Sequence, residues 1–219
     1  MAPVQKKASP GQELADQAKD YIGAHFTERY SLERMAKALF INPVYLAKTF
    51  KKHNGIISNP NCSTIITLTA VSALNRLSPI QTMVASTYQA VSGAGANGLK
   101  ELEQQVKDYA EGKPLANSVF PWQIAFNVIP QIGDDTGNGY TTEEMKMQNE
   151  GRKIMHLPDL KVTCTCVRVP VLRSHSISVT LRTQRKLSVE EARAAIAQAP
   201  GCRLVDDLDN KVYPMPLDT

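Results

Sequence analysis

Residues 49–65 read TFKKHNGIISNPNCSTI, and the character of the chain changes within this stretch. Up to Gly55 the stretch is basic and typical of the end of a helix that closes on a glycine. From Ile56 onward the pattern is a short apolar strand, a turn at Pro60 and a cysteine at the start of the next helix. The stretch therefore indicates two parts with different roles that meet near Gly55 without a linker.

The charge of the chain divides at the same place. Residues 1–53 contain nine Lys and Arg against five Asp and Glu, whereas the remaining residues contain sixteen of each. All of the net charge of +4 thus lies in the first quarter of the 219 residues. Such asymmetry favours a nucleic-acid partner for the first part, although a solvated basic face has the same composition.

The composition also limits the class of protein. With 42% hydrophobic and 21% charged residues the chain is typical of a globular protein. It contains no apolar run of about 18 residues, and the lysines near the N-terminus precede no apolar signal core. The four cysteines are too few for a disulfide framework. We therefore expect a cytoplasmic protein with reduced thiols and no membrane partner.

The first part reads as a disordered tail over residues 1–11, followed by helices. Apolar residues spaced four apart from Leu14 to Phe26 predict one helix, Ser31 is a candidate cap for a second, and Asn42 with Pro43 starts a third. The segment AKDYIGAHFTERYSLERMAKALFINPVYLAKTFKKHNG, residues 18–55, resembles the first helix-turn-helix of AraC-type transcription regulators. The resemblance implies a small all-α unit over residues 12–55 that contacts DNA through Lys48, Lys51 and Lys52. The family has two such units, and one is found here.

The second part, residues 56–219, alternates strands and helices. Its pattern predicts an α+β fold with a mixed, mainly antiparallel sheet, including strands at residues 122–132 and 201–207. In SNPNCST the turn places Cys62 in the first turn of a helix, where free backbone N–H groups and the helix dipole favour a thiolate. On pattern alone, Cys62 is either a nucleophile or a small buried residue that begins a helix.

The second part also carries longer motifs. These are ISNPNCST, STYQAVSGAGANGLKEL, FPWQIAFNVIPQIG, YTTEEMKMQNEGRKIM and CVRVPVLRSHSISV. In this order and spacing they resemble the catalytic and dimerisation domain of aspartate-semialdehyde dehydrogenase. The resemblance implies an oxidoreductase that interconverts aspartyl phosphate and aspartate semialdehyde with NADP, through a cysteine acyl-enzyme, in lysine, threonine and methionine biosynthesis.

The resemblance assigns roles to six residues. Cys62 would be the nucleophile, Gln89 would orient the bound intermediate and His175 would be the general acid/base. Arg168 would bind the substrate carboxylate, Glu143 its amino group and Lys146 its phosphate. Without the resemblance, His175 also fits a hydrogen-bonded strand residue, and Glu143 with Lys146 fits a surface ion pair.

Cofactors and partners follow from the same resemblance. It implies NADP and a homodimer, but no counterpart of the family's NADP-binding domain, with its glycine-rich turn, is recognised in the sequence. Cys164 and Cys166 lie on one strand face and have no second cysteine pair, so we expect core residues and no metal site.

Three interpretations remain open at the level of sequence. The first is a semialdehyde dehydrogenase-type domain that is inactive on its own. The second is a DNA-binding regulator fragment in which the enzyme-like part is a dimerisation module. The third is a non-functional chimera, since the abrupt junction at Gly55 resembles a splice of two unrelated genes.

Overall fold

A computed structural model describes residues 9–25, 32–54 and 60–218 of the chain. They fall into two compact units, divided between Asn59 and Pro60. Three predictions lie outside the described residues: the cap at Ser31, the short strand after Gly55, and the junction itself. None of the helices in the described ranges is both long and apolar enough to cross a bilayer.

The first unit contains three helices, α1 (Pro10–His25), α2 (Leu32–Ala38) and α3 (Pro43–Asn54). Helix α1 begins two residues inside the stretch expected to be disordered. Asn42 caps α3 as predicted, because its Oδ1 accepts hydrogen bonds from the backbone N–H groups of Val44 and Tyr45 at 2.9 and 3.2 Å. Apolar residues from all three helices form one core: Leu14, Ala15, Ala18, Met35, Ala36, Leu46 and Phe50.

The second unit combines four α-helices with three strands in its described residues. In chain order these are α4 (Cys62–Leu77), β1 (Ile80–Gln89), α5 (Gly95–Ala110), α6 (Thr142–Ile154), β2 (Lys161–Arg168), β3 (Ser176–Thr183) and α7 (Val189–Ala197). A 3₁₀ turn, Val91–Ala94, joins β1 to α5, and another covers Pro216–Asp218. Helices α6 and α7 begin with the two capping boxes expected at Thr141–Glu144 and Ser188–Glu191.

The three strands form a mixed sheet in the order β2-β1-β3. Strand β1 is central and pairs in parallel with β2, placing Gln89 opposite Arg168, and antiparallel with β3, placing Tyr88 opposite Ser176. The α+β class and the mixed sheet are therefore confirmed, but the sheet is not mainly antiparallel, since one pair is of each kind. Strands β2 and β3 are close in sequence, yet β1 lies between them.

One face of the sheet carries the core of this unit. Alternate residues of β1 and β2 point toward α4 and α6 and pack with Leu68, Val71 and Met147 from those helices. Cys164 and Cys166 belong to this core, as predicted. On the opposite face Val84 and Tyr88 of β1 are 45% and 46% exposed. This open sheet face is defined by Val84, Ser86 and Tyr88 with their neighbours on β2 and β3.

Two predicted strands are absent from the described structure. Residues 122–132 form a loop with a single bridge from Ile129 to Arg168, because the Gln105 side chain accepts the backbone N–H groups of Ile124 and Ala125 that a strand would use. Residues 201–207 are mostly exposed and reach one bridge, from Asp207 to Val212. Their apolar residues cover no core, so nothing stabilises a ladder there.

Candidate active site

Cys62 is the first residue of α4, and its thiol is exposed. The preceding residue, Asn61, caps the helix: its Oδ1 accepts from the backbone N–H groups of Ser63 and Thr64 at 3.1 and 3.2 Å. The cap fixes the first turn of α4 and leaves the Cys62 side chain at the positive end of the helix dipole. The local sequence thus places a thiol where an anion is favoured.

His175 faces that thiol from the start of β3. Its Nε2 lies 3.2 Å from Sγ of Cys62, and its Nδ1 lies 3.1 Å from the backbone N–H of Ala90. A backbone amide can only donate, so Nδ1 accepts and the neutral ring carries its proton on Nε2. His175 is thereby arranged to donate a hydrogen bond to a Cys62 thiolate.

The protonation state of His175 has a physical cause. Burial lowers the pKa of His175, the nearby charge of Arg168 lowers it further, and Glu143 opposes them less strongly. The ring is therefore neutral at pH 7. This agrees with the tautomer that the Ala90 amide requires.

Glu143 is the centre of a buried polar cluster beside the thiol. Its Oε1 accepts from Asn61 Nδ2 at 2.7 Å and from Gln89 Nε2 at 3.3 Å, and its Oε2 is 3.3 Å from Lys146 Nζ. Burial raises the pKa of Glu143, but the hydrogen bonds from Asn61 and Gln89 and the charge of Lys146 outweigh it and leave the pKa below its usual value. Glu143 is thus a carboxylate that binds cationic or N–H groups.

Arg168, at the end of β2, is 7% exposed. Its Nη1 donates to the carbonyl of Ala90 at 2.8 Å, and its guanidinium lies 5.9 Å from the centre of the Phe120 ring. A Cβ at Gly93 would lie only 2.6 Å from Nη1 and 3.5 Å from the His175 ring. Burial lowers the pKa of Arg168, but a guanidinium retains its charge at neutral pH.

The six residues expected to form the site therefore meet at one end of the sheet. Cys62 contacts His175, Gln89 and Lys146 contact Glu143, and Arg168 pairs in register with Gln89. Asn61, whose amide connects the cysteine helix to Glu143, was not predicted as a site residue. Its place directly before the helix that begins at Cys62, where Asn is a favoured cap, is the signal that could have indicated it. Phe120 was not predicted either, and the sequence gives no periodic signal for it.

The lysines expected to contact DNA belong to the first unit. Lys48, Lys51 and Lys52 are exposed on α3 and share a helical face with Val44 and Tyr45, which are 61% and 55% exposed. The opposite side of α3 is buried against the core of that unit. The structure thus presents the three lysines together with apolar and aromatic side chains.

Comparison with known proteins identifies the family of the second unit. The family model "Semialdehyde dehydrogenase, dimerisation domain" matches residues 71–219. The aspartate-semialdehyde dehydrogenase of Synechocystis sp. is 43% identical over 197 residues, covering 90% of this chain and 58% of that protein. The enzyme of Aquifex aeolicus is 48% identical over 171 residues, covering 78% and 50% respectively.

Solved structures give the same result. The crystal structure of aspartate semialdehyde dehydrogenase II from Vibrio cholerae complexed with ASA aligns with a TM-score of 0.67 at 41% identity, covering 71% of this chain and 46% of that one. The chain spans about half the length of the curated relatives that it matches. The match of the family model over most of the chain shows that the chain belongs to the semialdehyde dehydrogenase dimerisation-domain family.

Proposed function

We propose that the chain carries the cysteine acyl-transfer site of an NADP-dependent aspartate-semialdehyde dehydrogenase. The observation that carries the proposal is the 3.2 Å contact between Cys62 Sγ and Nε2 of His175, a ring whose tautomer is fixed by the Ala90 amide. Relatives that bear this enzyme's name support the choice of reaction. A cytoplasmic role in lysine, threonine and methionine biosynthesis belongs to the same proposal.

The proposed step joins sulfur to the acyl carbon of aspartyl phosphate. The Cys62 thiol loses its proton to solvent, and the thiolate, stabilised by Nε2–H of His175, attacks the carbonyl carbon. The C–S bond forms, and Nε2–H of His175 would donate to the resulting oxyanion. The C–O bond to phosphate then breaks, and phosphate leaves with the bonding electrons and is protonated from solvent, so that a thioester remains on Cys62.

Substrate recognition is proposed for the charged residues around the thiol. Arg168 offers a guanidinium with N–H groups beyond the one bound to Ala90, which suits a carboxylate. Glu143 suits the substrate ammonium and Lys146 the phosphate, because each presents the complementary charge. Gln89 lies beside Glu143 and would orient the thioester.

The NADP cofactor has no site among the described residues. The sheet of the described second unit is mixed and three-stranded, not doubly wound, so it lacks the strand order of a dinucleotide-binding fold. We expect little or no NADP-dependent turnover from this chain alone.

Acylation without a cofactor tests this proposal. Aspartyl phosphate is mixed with the chain, and phosphate release is measured together with the intact mass and the modified peptide. We expect up to one aspartyl group per chain, on Cys62, with stoichiometric phosphate. The variant Cys62→Ser should give none, and the control Cys202→Ser should behave as the wild type. Acylation elsewhere, or equal phosphate release from Cys62→Ser, contradicts the proposal.

We also propose that two copies associate through the open sheet face. The matching family model is described as a dimerisation domain. Val84 and Tyr88 leave apolar surface on this face, where they are 45% and 46% exposed. Hydroxyl side chains surround them, so the face resembles an interface with an apolar centre and a polar rim.

A second candidate function is binding of duplex DNA by α3. The observation that favours it is the single exposed face that joins Lys48, Lys51 and Lys52 to Val44 and Tyr45. Phosphate contacts by lysines make affinity fall steeply with salt. The expected result is salt-sensitive duplex binding that weakens when the three lysines are replaced by alanine, while Lys19→Ala in α1 has little effect. Equal binding by the triple variant and the wild type at low salt rejects this function.

A further inference from the structure

The segment between α5 and α6 contains a loop that is held by two buried side chains of α5. Glu101 is 6% exposed and Gln105 is 1% exposed, and they lie one helical turn apart. Both are polar residues in positions where apolar ones are usual, and both direct their hydrogen bonds to residues 116–125 rather than to solvent. Buried polar groups of this kind fix the conformation of what they bind.

Glu101 binds three consecutive residues of that loop. Its Oε2 accepts from the backbone N–H of Ser118 at 2.8 Å, from Oγ of Ser118 at 2.7 Å and from the backbone N–H of Val119, and its Oε1 accepts from the N–H of Phe120 at 3.3 Å. Burial raises the pKa of Glu101, but these hydrogen bonds outweigh it and leave the pKa below its usual value. The side chain is therefore a carboxylate whose partners are all donors.

Gln105 fixes the two flanks of the same loop. Its Oε1 accepts from the N–H groups of Ile124 and Ala125 at 3.1 and 2.9 Å, and its Nε2 donates to the Ala116 carbonyl at 2.9 Å. The loop therefore takes its shape from one face of α5, without a strand of its own. Glu101 is the member of this pair that binds the residue nearest the active site.

That residue is Phe120, whose ring covers the guanidinium of Arg168. Phe120 is 8% exposed and packs with Val91, Leu102 and Ile124. An aromatic face over a guanidinium attracts it and also limits the directions in which it can move. The backbone N–H of Phe120 is bound to Glu101, so the position of the ring depends on that carboxylate.

We propose that Glu101 is a positioning residue for Arg168, acting through the backbone of residues 118–120 and the ring of Phe120. The consequence for substrate rests on the proposed function: Glu101 then sets the place of the carboxylate-binding guanidinium. The hydrogen bonds recorded for Glu101 go to residues 118–120 rather than to Cys62. Its carboxylate keeps Arg168 directed toward the site by holding the loop that covers it.

Chemical modification of Arg168 tests the positioning without any substrate. Wild type and Glu101→Gln are treated with phenylglyoxal, an arginine reagent, and each arginine is followed in its own peptide by mass spectrometry. We expect Arg168 to react about tenfold faster in Glu101→Gln, the scale of losing one charge-assisted hydrogen bond. Arg76, exposed at the far end of α4, should react at its wild-type rate. Glu103→Gln, which alters an exposed carboxylate of the same helix, should leave Arg168 unchanged.

A second variant keeps the test valid if Glu101→Gln loosens the whole unit. Phe120→Leu removes the aromatic face and leaves Glu101 in place, and we expect it to accelerate modification of Arg168 in the same selective way. Unchanged reactivity of Arg168 in both variants overturns the inference. Equal acceleration of every arginine in both variants also overturns it, since that result indicates general loosening.

The acylation reaction separates this inference from the proposed function. With aspartyl phosphate, Glu101→Gln should raise the half-saturating concentration about tenfold at a similar maximal rate, because a displaced guanidinium weakens one charged contact. With 3-aminopropanoyl phosphate, which lacks the α-carboxylate, wild type and variant should react alike. If the wild type is not acylated at all, but phenylglyoxal modifies Arg168 selectively faster in Glu101→Gln, the proposed function fails and the positioning role stands. Equal losses with both acyl phosphates contradict the positioning role.

Discussion

His175 is held at both ring nitrogens, and this determines which chemistry the site allows. The Ala90 amide occupies Nδ1, so Nε2 carries the proton that faces Cys62. In this tautomer Nε2–H can donate a hydrogen bond to a thiolate at Cys62, as the proposed step requires. A single backbone N–H thus sets the tautomer of His175.

The lowered pKa of His175 predicts a dependence of stability on pH. The unfolded chain binds a proton near pH 6.5, whereas the folded site binds it only at lower pH. The stabilisation is therefore complete above pH 6.5 and is lost as the pH falls toward the folded-state pKa. We expect the free energy of unfolding, measured with denaturant, to fall less between pH 7 and pH 5 in His175→Asn than in the wild type. The difference is at most about 1.4 kcal/mol for each unit by which the two pKa values of His175 differ.

The exposed His156 provides the matched control for this prediction. His156→Asn should keep the pH dependence of the wild type, and asparagine tolerates the positive φ of 55° at that position. An identical loss of stability in His175→Asn and the wild type would show that the ring is not held neutral by the fold.

Individual site residues could be predicted from the sequence only where a motif surrounds them. The turn in SNPNCST placed Cys62 at a helix start, and the resemblance supplied His175, Gln89 and the charged residues. Ala90 and Phe120 could not be predicted, because the first acts through its backbone and the second lies in a loop fixed by α5. Contacts of these two kinds leave no pattern in a single sequence.

At the scale of elements, the N-terminus of α4 is the part on which the site depends. Asn61 caps this helix through Oδ1 and binds Glu143 through Nδ2, so one side chain connects the thiol-bearing turn to the carboxylate cluster. Its backbone N–H is also fixed, donating to Glu150 at 2.8 Å. The helix start is thus fixed by α6 as well as by its own cap.

Asn61→Ala should therefore affect both stability and reactivity. We expect a loss of about 1–2 kcal/mol in the free energy of unfolding, from the lost cap, and slower alkylation of Cys62. Ser188→Ala removes a cap of the same kind from α7 and should cost a similar free energy without changing Cys62. If both variants alter Cys62 equally, the cap acts through general stability rather than locally.

The elements themselves were only partly predictable. Helix starts were well indicated, because Pro43 and the two capping boxes are local signals. The predictions of strands at 122–132 and 201–207 were wrong, because apolar residues in those segments suggest a strand without showing whether a neighbouring strand exists to pair with it. The central place of β1, between two strands that are close in sequence, depends on long-range pairing and was not foreseen.

At the scale of the whole molecule, the proposed association of two copies through the open sheet face can be tested by one substitution. Val84→Lys places a charge at the centre of that face, and we expect the dissociation constant of a dimer to rise at least about tenfold, as for an unpaired charge at a buried contact. Val106→Lys, on α5, is the matched control because Val106 is also 45% exposed. Sedimentation over a range of concentrations measures both. Equal association of Val84→Lys and the wild type would place the interface elsewhere.

The proposed function depends on a Cys62–His175 pair that is assembled from this chain's own residues. The most direct test is alkylation by iodoacetamide at pH 6.5, read peptide by peptide, in the wild type and in His175→Ala. Cys202 is the reference thiol, and the buried Cys164 and Cys166 report that the unit stays folded by remaining unmodified. We expect Cys62 to react at least about tenfold faster than Cys202, since a free thiol is mostly protonated at this pH, and we expect His175→Ala to remove most of this advantage. Similar rates at Cys62 and Cys202, or a rate at Cys62 that does not depend on His175, would contradict it.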